Sequence, residues 1–304
     1  MTSLQLPHSE EALHPSLALF QEIPVSSGID NVQWIETQPA APLAKGSPVI
    51  FDISPKATQY IDLKRTLISV KARITNRDGS VIDPNVKVGP VNLLAHALWS
   101  KVDISLQHKT QNHIQNLYPY KCIMDMVLNF GNDAKRTQLG PQMFYEDTGD
   151  FDSTDTLEGR NGGLILRAAK TVGSKIFSTV APVYADIAQQ SRYLLPGVHV
   201  QYKFTPSENS FRLMADEDNA DYVIDIVDAK LQVCTVNVTP AVMLGQGAML
   251  LKTPAIYPYM VCDIRQFNLT REQSSIVIND VFQNIVPSTL VLGMVSAAAF
   301  QCNY

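Results

Sequence analysis

At 304 residues, 45% hydrophobic and 17% charged, the chain is apolar enough to close around a sizeable core, which excludes an intrinsically disordered protein. Its net charge of −5 lacks the basic excess of a general nucleic-acid binder, and no apolar run approaches the ~20 residues of a membrane helix. The four cysteines, Cys122, Cys234, Cys262 and Cys302, lie far apart without a CxxC pair, which points to reduced structural thiols and not to a zinc site.

Residues 1–45 carry Pro7, Pro15, Pro24, Pro39 and Pro42 together with Ser26-Ser27-Gly28, a composition poor in regular elements. Glu10 and Glu11 with no basic stretch differ from a secretory signal, so an intracellular product is expected. Leu17, Leu19, Phe20 and Trp34 provide apolar anchors for an N-terminal arm lying on another surface. A strand is expected from Pro48. Another spans 67–74, where Val70, Ala72 and Ile74 alternate with Ser69, Lys71 and Arg73, and Asn76-Arg77-Asp78-Gly79 supplies a hairpin turn.

From Pro90 to Phe130 an apolar run, 91–99, leads into alternation through Val102, Ile104 and Leu106. A polar turn over 108–112 and a second short strand near Ile114 come next. Beyond Pro119 the spacing of Ile123, Met126, Val127 and Phe130 predicts a helix with those residues buried, closed by Gly131. Residues 133–163 read as a pliable loop made acidic by Glu146, Asp147, Asp150, Asp152, Asp155 and Glu158. Strands are expected at Leu164, Ile176 and Val183, then, after a corner at Leu195-Pro196-Gly197, at 198–204 and 222–238, the last preceded by Asp216, Glu217 and Asp218. A helix over 242–251 and strands over 257–269, 275–278 and 289–295 complete the pattern of an antiparallel sandwich. The apolar end, 297–304, reads as a stop partway through a domain.

Chemistry-bearing patterns are sparse. Gly159-Arg160-Asn161-Gly162-Gly163 lacks the signature of a phosphate loop and reads as a flexible loop. The carboxylates of 146–158 lack the EF-hand spacing and read as solvated. His96, inside an apolar run, reads as a hydrogen-bonded core residue, while His108, His113 and His199 match no ligand pattern. Asn237 and Asn268 head chance sequons. Lys64, Arg65, Lys71 and Arg73 form either a solvated sheet face or an inward surface for nucleic-acid phosphates. No residue is assigned a catalytic, cofactor-binding or metal-binding role.

Taken in order, several motifs resemble the double jelly-roll major capsid proteins, hexon-like, of Polinton/Maverick and adintovirus-type DNA viruses and elements. They are Tyr60–Leu67 (without that family's glycine), Asn92-Leu-Leu-Ala-His-Ala-Leu-Trp-Ser-Lys-Val-Asp-Ile-Ser-Leu106, and Leu195-Pro-Gly-Val-His-Val-Gln-Tyr-Lys-Phe204. Residues 224–238, 242–251, 257–269 and 282–292 continue the likeness. It implies an arm (1–45), a first jelly roll (46–238), a linker helix (239–255) and the start of a second roll (256–304), incomplete because only about fifty residues follow Ala255 against the eight strands of ~5–6 residues a roll needs. It further implies a structural, non-enzymatic protein without cofactors. Homotrimers would pack with neighbouring capsomers, with penton and minor capsid proteins and, nonspecifically, with packaged DNA, in an icosahedral virion assembled in the nucleus or cytoplasm. A single-roll penton or minor capsid protein forming pentamers and a host-co-opted β-sandwich binding module stay open as alternatives.

Overall fold

Strand pairing in this chain follows one long hairpin wound upon itself. The computed structural model describes residues 19–20, 28–54, 56–111, 116–215, 221–269, 275–279, 281–282, 285–296 and 300. Its principal strands are β1 (Ile29–Thr37), β2 (Val49–Ile53), β3 (Gln59–Asn76), β5 (Trp99–Leu106), β6 (Lys109–Thr110), β7 (Phe177–Pro182), β8 (Val200–Pro206) and β10 (Tyr222–Val238). The first pairs with the last, β2 with β8, β3 with β7 and β5 with β6, all antiparallel. Rolling that hairpin sets β10 against β3 and β8 against β5, which yields two four-stranded sheets ordered β1-β10-β3-β7 and β2-β8-β5-β6. Eight strands wound this way are a jelly roll. A two-stranded ribbon of β4 (Val88–Pro90) and β9 (Leu213–Ala215) stands beside it.

The core follows from period-2 alternation. Val49, Phe51 and Ile53 of β2, Val200, Tyr202 and Phe204 of β8, and Val102 and Ile104 of β5 face inward from one sheet. Ile61, Leu63, Ile68, Val70, Ala72 and Ile74 of β3, with Ile224, Ala229, Leu231 and Val233 of β10, meet them from the other. Phe204 sits at the middle, its ring 5.8 Å from Phe51 edge-on and 5.1 Å from Trp99.

The short helices α1 (Leu94–Ala97), α2 (Tyr118–Asn129), α3 (Asn132–Thr137), α4 (Gly162–Ala168) and α5 (Asn209–Arg212) fill the connections, and α6 (Pro240–Leu250) comes after the roll. Several expectations are corrected. Residues 29–37, assigned to the arm, are β1; as an edge strand it is mostly exposed, so it carries no apolar alternation to read. The Asn76–Gly79 turn exists, with Gly79 at φ +88° and its N–H donating to Asn76 at 2.9 Å, but it opens no hairpin because the chain leaves for β4. Gly131 has φ −73° and caps the start of α3 instead of closing α2.

Residues 133–163 are not one open loop, since α3 and a 3-10 turn at Gly140–Gln142 occupy part of them. The Leu164 run is helical: Asn161 accepts the Leu164 N–H at 3.1 Å as N-cap, and short apolar runs do not separate strand from helix. After Val183 the chain forms a 3-10 turn, Asp186–Gln189, where a strand was expected. Helix α6 lies where expected, whereas 257–269, 275–278 and 289–295 hold no strand among the described residues. A strand needs a ladder partner for its N–H and C=O groups, and these segments have none among those residues. No second roll is built among the described residues. The N-terminal prolines up to Pro24, the strand near Ile114, and His113, Asp216, Glu217, Asp218 and Cys302 lie outside the described residues.

Replacing Phe204 by Ala removes the central ring and leaves a cavity, so Phe204→Ala is expected to cost about 3–5 kcal/mol. Urea unfolding checks this through a lowered midpoint at unchanged slope.

Candidate assembly surface

Several charged side chains are used to hold the roll together. Along β3, the Arg73 guanidinium donates to Asp225 Oδ2 through Nε at 3.1 Å and Nη2 at 3.0 Å, and Lys71 lies 3.9 Å from Asp228. Arg65 is 3.5 Å from Asp62, and past the strand end Arg77 pairs with Asp221 at 3.2 Å. Carboxylates on β10 therefore face Lys71 and Arg73 of β3 across the ladder, Arg65 is paired within β3, and Lys64 is exposed. Such exposed pairs contribute ~0–1 kcal/mol each.

The acidic loop is pinned at Asp147 and Asp155, while Glu146, Asp150, Asp152 and Glu158 are exposed as expected. Arg167, only 1% exposed, donates to the carbonyls of Pro90 and Tyr145 at 2.9 Å each and pairs with Asp147 at 2.8 Å, tying the loop to β4. Lys87 reaches Asp155 at 2.8 Å, and the same carboxylate accepts from the amides of Leu157 and Glu158. The Lys87 hydrogen bond, followed by those amides, holds the Asp155 carboxyl down at about 2. Gly163 is required where it stands, because a Cβ there would lie 2.6 Å from the Glu146 carbonyl oxygen. Among the described residues no three His, Cys, Asp or Glu side chains converge as a cation site.

His96 is buried as expected. Its Nε2 lies 2.9 Å from Gln142 Oε1, and its Nδ1 lies 3.2 Å from the Tyr118 hydroxyl, whose oxygen also accepts the Tyr184 N–H at 3.2 Å. That network assigns the proton to Nε2 and makes Nδ1 the acceptor. His108 and His199 stack at 5.3 Å at the β5–β6 hairpin, with His199 Nε2 3.6 Å from Asp52. Cys122 and Cys234 are buried free thiols and Cys262 is a half-buried one.

What the roll leaves uncovered is apolar. Helix α6, PAVMLGQGAML, has no charged residue and buries none of its side chains, with Leu244 77% exposed. Beyond it, Val277, Val286, Leu292 (86%) and Met294 (92%) stand in solvent. Exposed apolar side chains in this number make a candidate association surface. No helix among the described residues is long and apolar enough to cross a membrane.

No family model matches the chain. An uncharacterized protein of Caenorhabditis elegans is 21% identical over 285 residues, which is 91% of this chain and 66% of that protein. Among solved structures the fold is similar to a chain of the Sputnik virophage, at 12% identity and TM-score 0.49, covering 79% of this chain and 55% of that one. It is also similar to the mavirus major capsid protein, at 14% identity and TM-score 0.40 (79% and 54% covered). The Faustovirus major capsid protein matches at 10% identity and TM-score 0.44 (75% and 57% covered). The chain therefore spans 66% of the curated relative and little more than half of these solved chains.

Burial drives the His96 pKa down to about 4 from an ordinary 6.5. Above 6.5 folded and unfolded forms are both neutral. As pH falls only the unfolded form gains the proton, so stability drops from 6.5 downward and levels off below about 4, by roughly 3 kcal/mol in all. Unfolding midpoints between pH 7 and 4 should show this decline, and His96→Gln should flatten it.

Proposed function

We propose that the protein is a structural major capsid protein whose copies form trimeric, pseudo-hexagonal capsomers of an icosahedral shell. The observation that carries this reading is the eight-strand jelly roll followed directly by an uncharged linker helix and a second apolar segment rich in β-branched residues. That is the succession implied by the motifs at 92–106 and 195–204. In this division residues 239–255 link the rolls and 256–304 open the second. The chemistry is association: ~25 cal/mol per Å² of buried apolar surface accumulates over the ~2,000 Å² or more of an obligate interface. The virion is the corresponding location, with neighbouring capsomers and penton or minor capsid proteins as partners and no catalytic step.

A pentameric vertex protein is the second reading, favoured by the single roll that the described residues build. Absolute mass by light scattering on the full-length protein separates the two. A trimer with hexagonal outlines in micrographs is the expected result, a pentamer transfers the protein to the vertex, and a stable monomer overturns both. Deleting the segment before Gly28 is expected to leave folding intact and to weaken shell formation, read by sedimentation of assembled particles.

A further inference from the structure

Helix α2 carries more than one apolar face. Tyr118, Cys122 and Met126 enter the core; of the four residues expected inward, Met126 is buried, Ile123 and Phe130 are half-buried and Val127 is 55% exposed. On one flank sits Lys121, only 6% exposed, its Nζ 2.7 Å from Asp125 and 3.8 Å from Asp186 Oδ1. The other oxygen of Asp186 accepts the backbone N–H of Cys262 at 3.0 Å. Beside that contact Tyr257 Oη accepts the Leu195 N–H at 3.0 Å, Arg192 donates to the Ile256 carbonyl, and the Tyr259 hydroxyl lies 3.4 Å from Gln111 Oε1.

On the outer flank Tyr120 stacks on Phe300 with ring centres 5.6 Å apart and an interplanar angle of 22°. Gly293 lies so close to Met124 that a Cβ on it would stand 3.5 Å from Met124 Cε. Two stretches about thirty residues apart in the segment after α6 thus reach this twelve-residue helix, one through Asp186 and the other at Tyr120 and Met124. An open cleft of about 820 Å³, lined by Lys121, Asp125, Phe130, Tyr184, Asp186 and Met260, runs between helix and segment.

We propose that α2 is the docking helix that seats residues 256–262, Gly293 and Phe300 of the same chain on the roll, with Asp186 as the positioning residue that locks Cys262 in place. A buried ammonium needs its carboxylates, and a carboxylate so held has one oxygen to spare for a backbone amide. Lys121 supports this: burial pulls its pKa down, but the Asp125 hydrogen bond and the charges of Asp125 and Asp186 outweigh that and leave it raised, so the ion pair stays formed. The contacts lie within one chain, so the inference goes beyond the capsid reading and stands or falls separately from it. For the capsid reading it adds how the angle between the roll and residues 256–262 is set.

Hydrogen exchange on the intact chain tests it. The Cys262 amide should be protected in the unaltered protein. Asp186→Ala should speed exchange over 256–262 at least about tenfold while β3 and β10 keep their protection, and Asp186→Asn, which retains an acceptor but loses the charge, should fall between. Tyr120→Ala should loosen the 293–300 end and leave Cys262 protected. Should Asp186→Ala fail to fold, Tyr257→Phe removes the acceptor of the Leu195 N–H at a partly exposed site and should raise exchange there. Unprotected 256–262 amides in the unaltered protein overturn the proposal, as do variants that change nothing. Cross-links between 121 and 263 that join isotopically light and heavy copies in a mixed sample also overturn it, because the seated segment would then come from a second copy.

Discussion

The ladder between β3 and β10 is the constraint on which the rest of the molecule depends. These are strands of 18 and 17 residues, and β10 is flanked on both edges, by β3 and by β1. A strand in that position must satisfy backbone groups on both sides, so its register is fixed over its whole length. Two irregularities, at Ile226/Asp228 and Gln232/Cys234, add the local twist that lets strands so long curve around a core. Everything distal inherits that register. It sets Arg73 opposite Asp225, brings Tyr60 to the end of the sheet where its hydroxyl lies 2.6 Å from Gln246 Oε1 of α6, and holds the neighbouring edge to β1.

Legibility in the sequence tracked burial on one face. The span 222–238 was readable from end to end because its apolar residues recur on the inward side, and β8 and β5 were readable for the same reason. Helix α6 was readable from Pro240 at its first turn and an apolar run bounded by Pro254. The failures have the opposite physics. Strand β1 contributes backbone to a ladder and few side chains to a core, so pairing, invisible in a single strand, is what makes it a strand. In α2 two stripes both obey the three-and-four spacing, and only the packing against α1 and β5 decides that 118, 122 and 126 go inward.

The candidate chemistry was misleading for a related reason. Glycines and carboxylates over 146–163 read as a flexible, solvated loop, yet the glycines answer close backbone approach and Asp147 and Asp155 answer Arg167 and Lys87. Burial lowers the Arg167 pKa and Asp147 opposes the shift, the signature of a guanidinium serving as an internal tie. Neither Arg167 nor the Lys121–Asp186 pair was singled out from the sequence. A signal existed for the second: Lys121 interrupts an apolar helical run with Asp125 one turn on, and a lysine there is either solvated or paired. Asp186, distant in sequence, had no such signal.

The energetics of α6 say what kind of surface the roll presents. An isolated helix of 11 residues is marginal in water even with strong formers, since nucleation is costly and stability normally comes from packing an apolar face. Pro240 at the first turn, Ala241 and Leu244 favour it, but Gly245 and Gly247 each cost about 1 kcal/mol relative to Ala. Among the described residues α6 buries no side chain to offset that deficit and has Tyr60 as its side-chain anchor. A helix with neither charges for solvent nor a core of its own gains its stability from whatever covers it. The same argument governs the runs at 285–296, whose β-branched and aliphatic residues gain a ladder only when another strand lies alongside. The roll closes its own core across β3 and β10, whereas α6 and the runs at 285–296 leave their apolar side chains exposed.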